Sequence, residues 1–340
     1  MGINEFLKVI LEWIYGFVGN YGWAVVLFTL LVRLIVMPFD YKSRVGMRKM
    51  QKIAPMQAKI QKKYEKDPDK MNKKLLELYR EQRVNHLSSC LPMLISLPIL
   101  FAMFTAMRMV ANEHLAQQAF DIIASGNPAL DSWLWVKNVW MPDSPFAAVW
   151  PNLDSLRQIA TNEWLAVFNK LPQETLALLA DKGLALTAES FAGDALNTTI
   201  QTIYATMEQL PAYMEHVKYY SDLAIPLFNI HIFVNYNGYF ILPILAAGGQ
   251  FLMTKLTGTA QTPAADDAQA QQAQNSMKFM NYLFPIFTLI LCFNYNAIFA
   301  LYWVASNVIA IVQTKGINMY LDRKEALEAA NPNKNTGSLK

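Results

Sequence analysis

Cysteine is nearly missing from this 340-residue chain. Cys90 and Cys292 are the only two, and both lie in or beside apolar runs, which excludes a disulfide scaffold or a cysteine-ligated metal centre. Histidine is scarce as well: His86, His114, His216 and His231 are scattered singly. No HExxH, GxGxxG, GxxxxGK[ST] or GxSxG pattern is present, so the sequence offers no catalytic signature, no cofactor-binding motif and no metal site. We therefore expect a chain that is not an enzyme. Charge is sparse too, at 16% Asp, Glu, Lys and Arg against 54% hydrophobic residues, with a mean hydropathy of +0.17. Ordinary soluble domains carry about 25% charged residues, so this is a membrane protein's composition.

What is present is a set of long uncharged stretches. Residues 21–39 form the first, interrupted by Arg33; Leu87 to Met107 and Asn237 to Thr254 are two more, within spans expected at 87–110 and 237–255. From Phe279 to Thr314 no charge occurs at all; this suits two short helices, 278–293 and 297–315, joined at the polar break Phe293-Asn294-Tyr295-Asn296. The expectation is an all-α integral membrane protein with five transmembrane helices. Lys and Arg placement sets its orientation, because basic loops stay in the cytoplasm. Residues 40–86 carry 14 Lys/Arg and 6 Asp/Glu, a net +8, whereas 111–236 carry 5 and 13, a net −8. The whole-chain +3 hides this contrast. The N-terminus is then outside and the C-terminus, with Lys315, Arg323, Lys324, Lys334 and Lys340, is cytoplasmic.

Between the spans, Asp67-Pro68-Asp69 divides 40–86 into a basic cytoplasmic helical hairpin. Its seam is expected from Met47, Met50, Ile53, Met56 and Ile60 in one arm and Met71, Leu75, Leu78 and Tyr79 in the other. Lys59, Lys62, Lys63, Lys66 and Lys70 around its tip can meet anionic lipid or serve as a docking platform. No aromatic interleaving accompanies them, so sequence-specific nucleic-acid binding is not indicated. Residues 1–20 read as an amphipathic helix on the outer interface, retained because Glu5, Lys8 and Glu12 break the apolar run and no cleavage site follows. The outer segment 111–236 includes a stretch at about 142–230 with helical spacing in 153–171 and 195–220, hence short helices. Residues 256–277 read as a flexible cytoplasmic loop and 316–340 as a cytoplasmic tail, frayed from 331.

Arg33 is the anomaly, because a cation within a span costs roughly 2.5–3.5 kcal/mol on insertion scales. It lies five residues from Pro38, about 7.5 Å along a helix, so one reading is snorkelling to the inner headgroups. The other places Arg33 and Thr29, one turn earlier, on a water-filled concavity. Ser96, Gln250, Asn281, Thr288, Ser306, Asn307 and Gln313 are candidates for its lining, though interhelical hydrogen bonding explains each singly.

Several motifs carry a family resemblance: Val32-Arg33-Leu34-Ile35-Val36-Met37-Pro38, Lys42-Ser43, Tyr64-Glu65-Lys66-Asp67-Pro68, Cys90-Leu91-Pro92-Met93-Leu94, Tyr239 to Leu245, and Ala300 to Asn307. Together they resemble the YidC family of membrane-protein insertases, in the short bacterial form without a large outer β-domain. The resemblance implies five helices around a hydrophilic groove open to the cytoplasm and to lipid, with Arg33 as its charge. It also implies that Thr29 and the pair Tyr302-Trp303 contact the inserting segment, with Trp303 standing where the family has Tyr; Thr254 and not Gln250 falls where some relatives place a glutamine, and Gln250 and Ser96 are groove positions on their polarity within spans alone. The expected location is a bacterial plasma membrane. The expected partners are nascent membrane proteins, and beside them the ribosome, the Sec translocon and the signal-recognition-particle receptor. Two other classes fit the residues alone: a solute transporter or channel with an intramembrane anion site, and an assembly chaperone that binds helices without inserting them.

Overall fold

Two prolines, Pro38 and Pro55, stand inside a single helix of 43 residues, Tyr21–Lys63, in the computed structural model of the chain. The structure describes residues 2–82, 91–225, 228–258 and 282–330. Most of the expected loop 256–277, the end of the hairpin at 83–86 and the tail from 331 lie outside the described residues.

Local chemistry explains where the elements begin and end. Helix α1 (Ile3–Val18) stops at Gly19, whose φ of 67° is the left-handed conformation a helix end favours. One residue on, Asn20 Oδ1 accepts a hydrogen bond from Trp23 N (3.2 Å) at the start of α2 (Tyr21–Lys63). Asp67 caps α3 (Pro68–Glu81) by accepting from Lys70 N (3.1 Å), with Pro68 at the first helical position. Then come α4 (Leu91–Ser125), the short helices α5 (Leu153–Arg157), α6 (Thr161–Phe168), α7 (Gln173–Asp181), α8 (Ala195–Glu208) and α9 (Pro211–His216), strands β1 (Tyr219–Ile225) and β2 (Phe228–Phe233), and helices α10 (Ile241–Gly258), α11 (Tyr282–Asn294) and α12 (Ala297–Ala330).

The strands correct the all-α expectation. β1 and β2 pair antiparallel, with Leu223 opposite Ile230. Their aromatic and β-branched residues favour extended backbone, which outweighs the helical spacing read through Tyr220. The fold is otherwise helical. Among the described residues, α2 and residues 297–327 of α12 are long and apolar enough to cross a membrane, and Ile241–Leu256 and Tyr282–Asn294 are shorter apolar helices.

The chain divides into two units. The first comprises residues 1–28, 100–247 and 287–304. Its core holds fully buried Trp140, Trp164, Phe120, Phe191 and Tyr213. Asn237 stitches it: its Oδ1 accepts from Asn138 N (2.8 Å) and its Nδ2 donates to the carbonyls of Asn138 (2.8 Å), Met141 (3.1 Å) and Pro142 (2.9 Å). Asp143 accepts from Tyr239 N (2.9 Å) and Leu242 N (2.7 Å), fixing the start of α10. A Cβ on Gly238 would fall 2.0 Å from Asp143 Oδ1, so only glycine fits there. The start of α12 is tied to the same segment, with Ala297 N donating to Met141 O (2.9 Å) and Ile298 N to Val139 O (3.0 Å).

The second unit comprises residues 29–99, 248–286 and 305–340. In it α2 and α3 form an antiparallel pair around buried Ile53 and Leu78, flanked by Met50, Ile60 and Tyr79. Met56, expected in that seam, is instead 48% exposed, and Gln57 turns inward, its Nε2 donating to Tyr79 Oη (2.9 Å). A helix advances 100° per residue, so a stripe read at alternating threes and fours can miss by one position; here a satisfied amide took the inward place.

Candidate functional site

The apolar run before Pro38 folds as helix because nothing in it competes with the backbone ladder, and this leaves Arg33 half-buried on α2. Arg33 donates to Ser306 Oγ on α12 through both Nε (3.2 Å) and Nη2. Ser306 is 8% exposed and its neighbour Asn307 is 6% exposed. A methyl group on Gly249 of α10 would approach Asn307 Nδ2 to 3.2 Å, so α10 and α12 meet closely beside the Arg33–Ser306 contact.

This contact is the first rung of a polar ladder. Arg44 donates from Nη2 to Thr314 Oγ1, and Arg48 Nη2 donates to Asn318 O (3.0 Å). Arg48 also pairs with Asp322 (2.7 Å) and Glu325 (3.7 Å), and Lys52 pairs with Glu325 (3.2 Å). Positions rise together on both helices, so within this unit α2 and α12 run parallel. From Arg33 to Arg44 the ladder covers eleven residues, about 16 Å of helix. Asp40, between the two arginines in sequence, has its carboxyl pushed above the usual range by burial, against the opposing pull of Arg33 and Arg44. Among the described residues Arg33 has no ion-pair partner, and its bonded partner is a neutral hydroxyl.

The other sequence-selected residues fall in both units. Thr29 is buried on α2 one turn before Arg33. Gln250 is half-buried on α10, its carbonyl accepting from Thr254 Oγ1 (2.9 Å). Tyr302 and Trp303 are buried and belong to the other unit, where Trp303 packs edge-on against Phe299 (5.5 Å), itself edge-on to Phe104 (5.1 Å). Ser96 lies in α4, outside the positions whose side chains are described. Lys59, Lys62, Lys63, Lys66 and Lys70 are all exposed; Lys63 lies over the Tyr64 ring (5.5 Å) and Lys70 pairs loosely with Asp67 (3.5 Å).

Sequence reasoning did not identify Arg44, Arg48 and Lys52 as a set facing α12. The signal available was a basic residue at 44, 48 and 52, every fourth position, which marks one helix face. It also missed a cavity of about 590 Å³ lined by Met37, Tyr41, Gln313 and Tyr320. Among the described residues the buried amide of Gln313 has no hydrogen-bond partner there, which costs about 1–3 kcal/mol unless a ligand or water fills the role.

Apolar side chains on several helices face outward: Leu34 and Ile35 on α2, Ile244 on α10, Ile286 and Ile290 on α11, and Val308 and Val312 on α12. Hydrocarbon is the solvent that such surfaces fit.

Comparison with known proteins adds three findings. The family model described as "60Kd inner membrane protein" matches residues 13–180 and 195–324. A protein of Wolinella succinogenes named membrane protein insertase YidC is 46% identical over 98 residues, 29% of this chain and 18% of that protein. Proteins of the same name from Helicobacter pylori and Caldanaerobacter subterraneus are 40% identical over 96 residues and 42% identical over 106 residues; the aligned parts are 18% and 52% of those proteins. The aligned part of the chain thus spans between about a fifth and a half of the length of these relatives.

Proposed function

The chain belongs to the 60Kd inner membrane protein family, that of the YidC insertases, and from that membership we propose that it inserts and chaperones nascent membrane proteins in a bacterial plasma membrane. The observation that carries this reading is Arg33. It is a cation held within an apolar helix by a neutral hydroxyl, with no carboxylate bonded to it among the described residues, and so retains charge for an acidic visitor. The bond to Ser306, nine residues before the first charge on α12, favours a wet intramembrane position over snorkelling.

The proposed architecture has five spans around a hydrophilic groove, N-terminus outside and C-terminus cytoplasmic. Parallel α2 and α12 support this, because a first and a fifth span must run in the same direction. A nascent segment enters from the cytoplasm, and its polar or acidic tail is held by Arg33, with Thr29, Ser96, Gln250, Tyr302 and Trp303 along its path. The apolar part then leaves sideways into lipid. Burial in hydrocarbon supplies ~0.8 kcal/mol per CH₂. A potential positive outside adds ~2.3 kcal/mol per acidic charge per 100 mV. The groove therefore lowers a barrier and needs no nucleotide. The exposed lysines of the hairpin, from Lys59 to Lys70, dock anionic lipid and the ribosome, the Sec translocon or the signal-recognition-particle receptor.

The test is insertion of single-span substrates with acidic outer tails in cells depleted of other insertases. Arg33→Ala should insert them poorly and Arg33→Lys should retain most of the activity. Normal insertion by Arg33→Ala at native protein levels would refute the electrostatic role.

A further inference from the structure

The first unit contains a polar cavity, of about 290 Å³, where α4, the 140–147 segment, the start of α5 and the 293–296 break come together. Its one cation is Arg108, whose Nη2 donates to Gln158 O (3.0 Å), leaving its other N–H groups without a partner among the described residues. Two carboxamides join it. Asn152 Oδ1 accepts from Ser155 N (2.9 Å) and Asn296 Oδ1 accepts from Phe299 N (3.2 Å). Because each oxygen is committed to a backbone N–H, the orientation of both amides is fixed, and each lining residue has an NH₂ group to spare. Asp154 supplies one carboxylate to the lining, and Phe146 and Phe293 form an aromatic flank with ring centroids 6.0 Å apart.

We propose that this cavity binds the headgroup of a glycerophospholipid, with its phosphodiester on Arg108 and the spare amides of Asn152 and Asn296. The donors match phosphate oxygens, which accept and never donate, and a guanidinium takes them two at a time. Asp154 matches the far end of the headgroup, a hydroxyl or an ammonium, and the aromatic flank suits the glycerol and the first methylenes. Depth agrees: Arg108 and Phe293 close the proposed second and fourth spans at the same membrane surface, the level at which phosphates lie. The inference rests on that span assignment and not on insertase activity.

The experiment is native mass spectrometry of the full chain released from nanodiscs containing phosphatidylglycerol and phosphatidylcholine. The wild type should retain one phospholipid per chain. Arg108→Gln should retain roughly tenfold less, the loss of one charge-assisted contact. Asn152→Asp keeps an oxygen for the Ser155 cap while replacing the spare NH₂ with a second oxygen; it should weaken retention with an unchanged melting temperature. Wild-type retention by both variants would overturn the proposal. So would equal binding of soluble glycerophosphoglycerol, because the ligand would then be a free phosphodiester. Labelling of exposed Arg157→Cys by an impermeant thiol reagent tests the span assignment by itself: reaction from outside intact cells is expected, and reaction only from the cytoplasmic side would overturn the headgroup placement while leaving the insertion assay of Arg33 untouched.

Discussion

Single residues differ in how loudly the sequence announces them. Arg33 is loud, because one cation among nearly twenty apolar neighbours is a costly placement that asks for a reason. Ser306 is quiet: a serine in a span commonly bonds its own helix, and nothing at 306 points back to 33. Asp143 is quieter still, one acid among thirteen in its segment, yet it accepts from two backbone N–H groups at the start of α10 and from Trp135 Nε1 (3.2 Å). Removing it leaves those donors buried, so Asp143→Ala should destabilise the first unit by about 2–3 kcal/mol, read as thermal unfolding in detergent. Gly238→Ala should act in the same direction, and Asp143→Asn, which keeps one acceptor, should recover part of the loss.

His114 is a second case. It stacks on Trp140 (4.3 Å between centroids) and lies edge-on to Tyr21 (4.8 Å), with Asp131 Oδ2 3.6 Å from its Nδ1. Burial is the larger influence and, with Lys8, pushes the imidazole below its ordinary value, while Asp131 and Glu113 pull it upward. The native state thus favours the neutral ring. Its contribution is complete above the unfolded value of about 6.5 and declines as pH falls through it toward the lowered native value. The melting temperature should drop over that window, and His114→Phe should flatten this part of the profile.

Elements were legible where one period or one punctuation mark dominated. Asp67-Pro68-Asp69 marks the hairpin turn because an acceptor side chain and a proline both serve a helix start. The strands at 219–233 were hidden because the helical spacing of α8 runs on through Tyr213 before the aromatic alternation begins, and a short window fits either period. The pairing of α2 with α12 was hidden for another reason: ion pairs between segments far apart in sequence leave no local pattern. Its rungs beyond Arg44 are partly exposed, with Asp322 at 69%, so each pair contributes only about 0.2–1 kcal/mol. Arg48→Glu should therefore leave global stability nearly unchanged while speeding amide hydrogen exchange in residues 316–330, and adding Asp322→Arg should slow it again. At about 1 M salt, where the screening length is about 3 Å, wild type and Arg48→Glu should converge.

At the scale of the molecule, the proposed orientation rests on the contrast between a +8 segment and a −8 segment, because loop charge acts over whole segments and not through any one contact. Arrangement inside the bilayer is a matter of which side chains face each other, and composition carries no record of that. The parallel helix pair has a further implication for how the protein is made. Arg33 and Ser306 are 273 residues apart, and ribosomes add about 5–20 residues per second, so the arginine waits roughly 14–55 s before its serine is synthesised. During that interval it sits in a young span at full cost and must be sheltered by water, by lipid phosphate or by an older copy of a protein like itself. Under the function proposed above, birth order makes this protein one of the substrates it would itself serve.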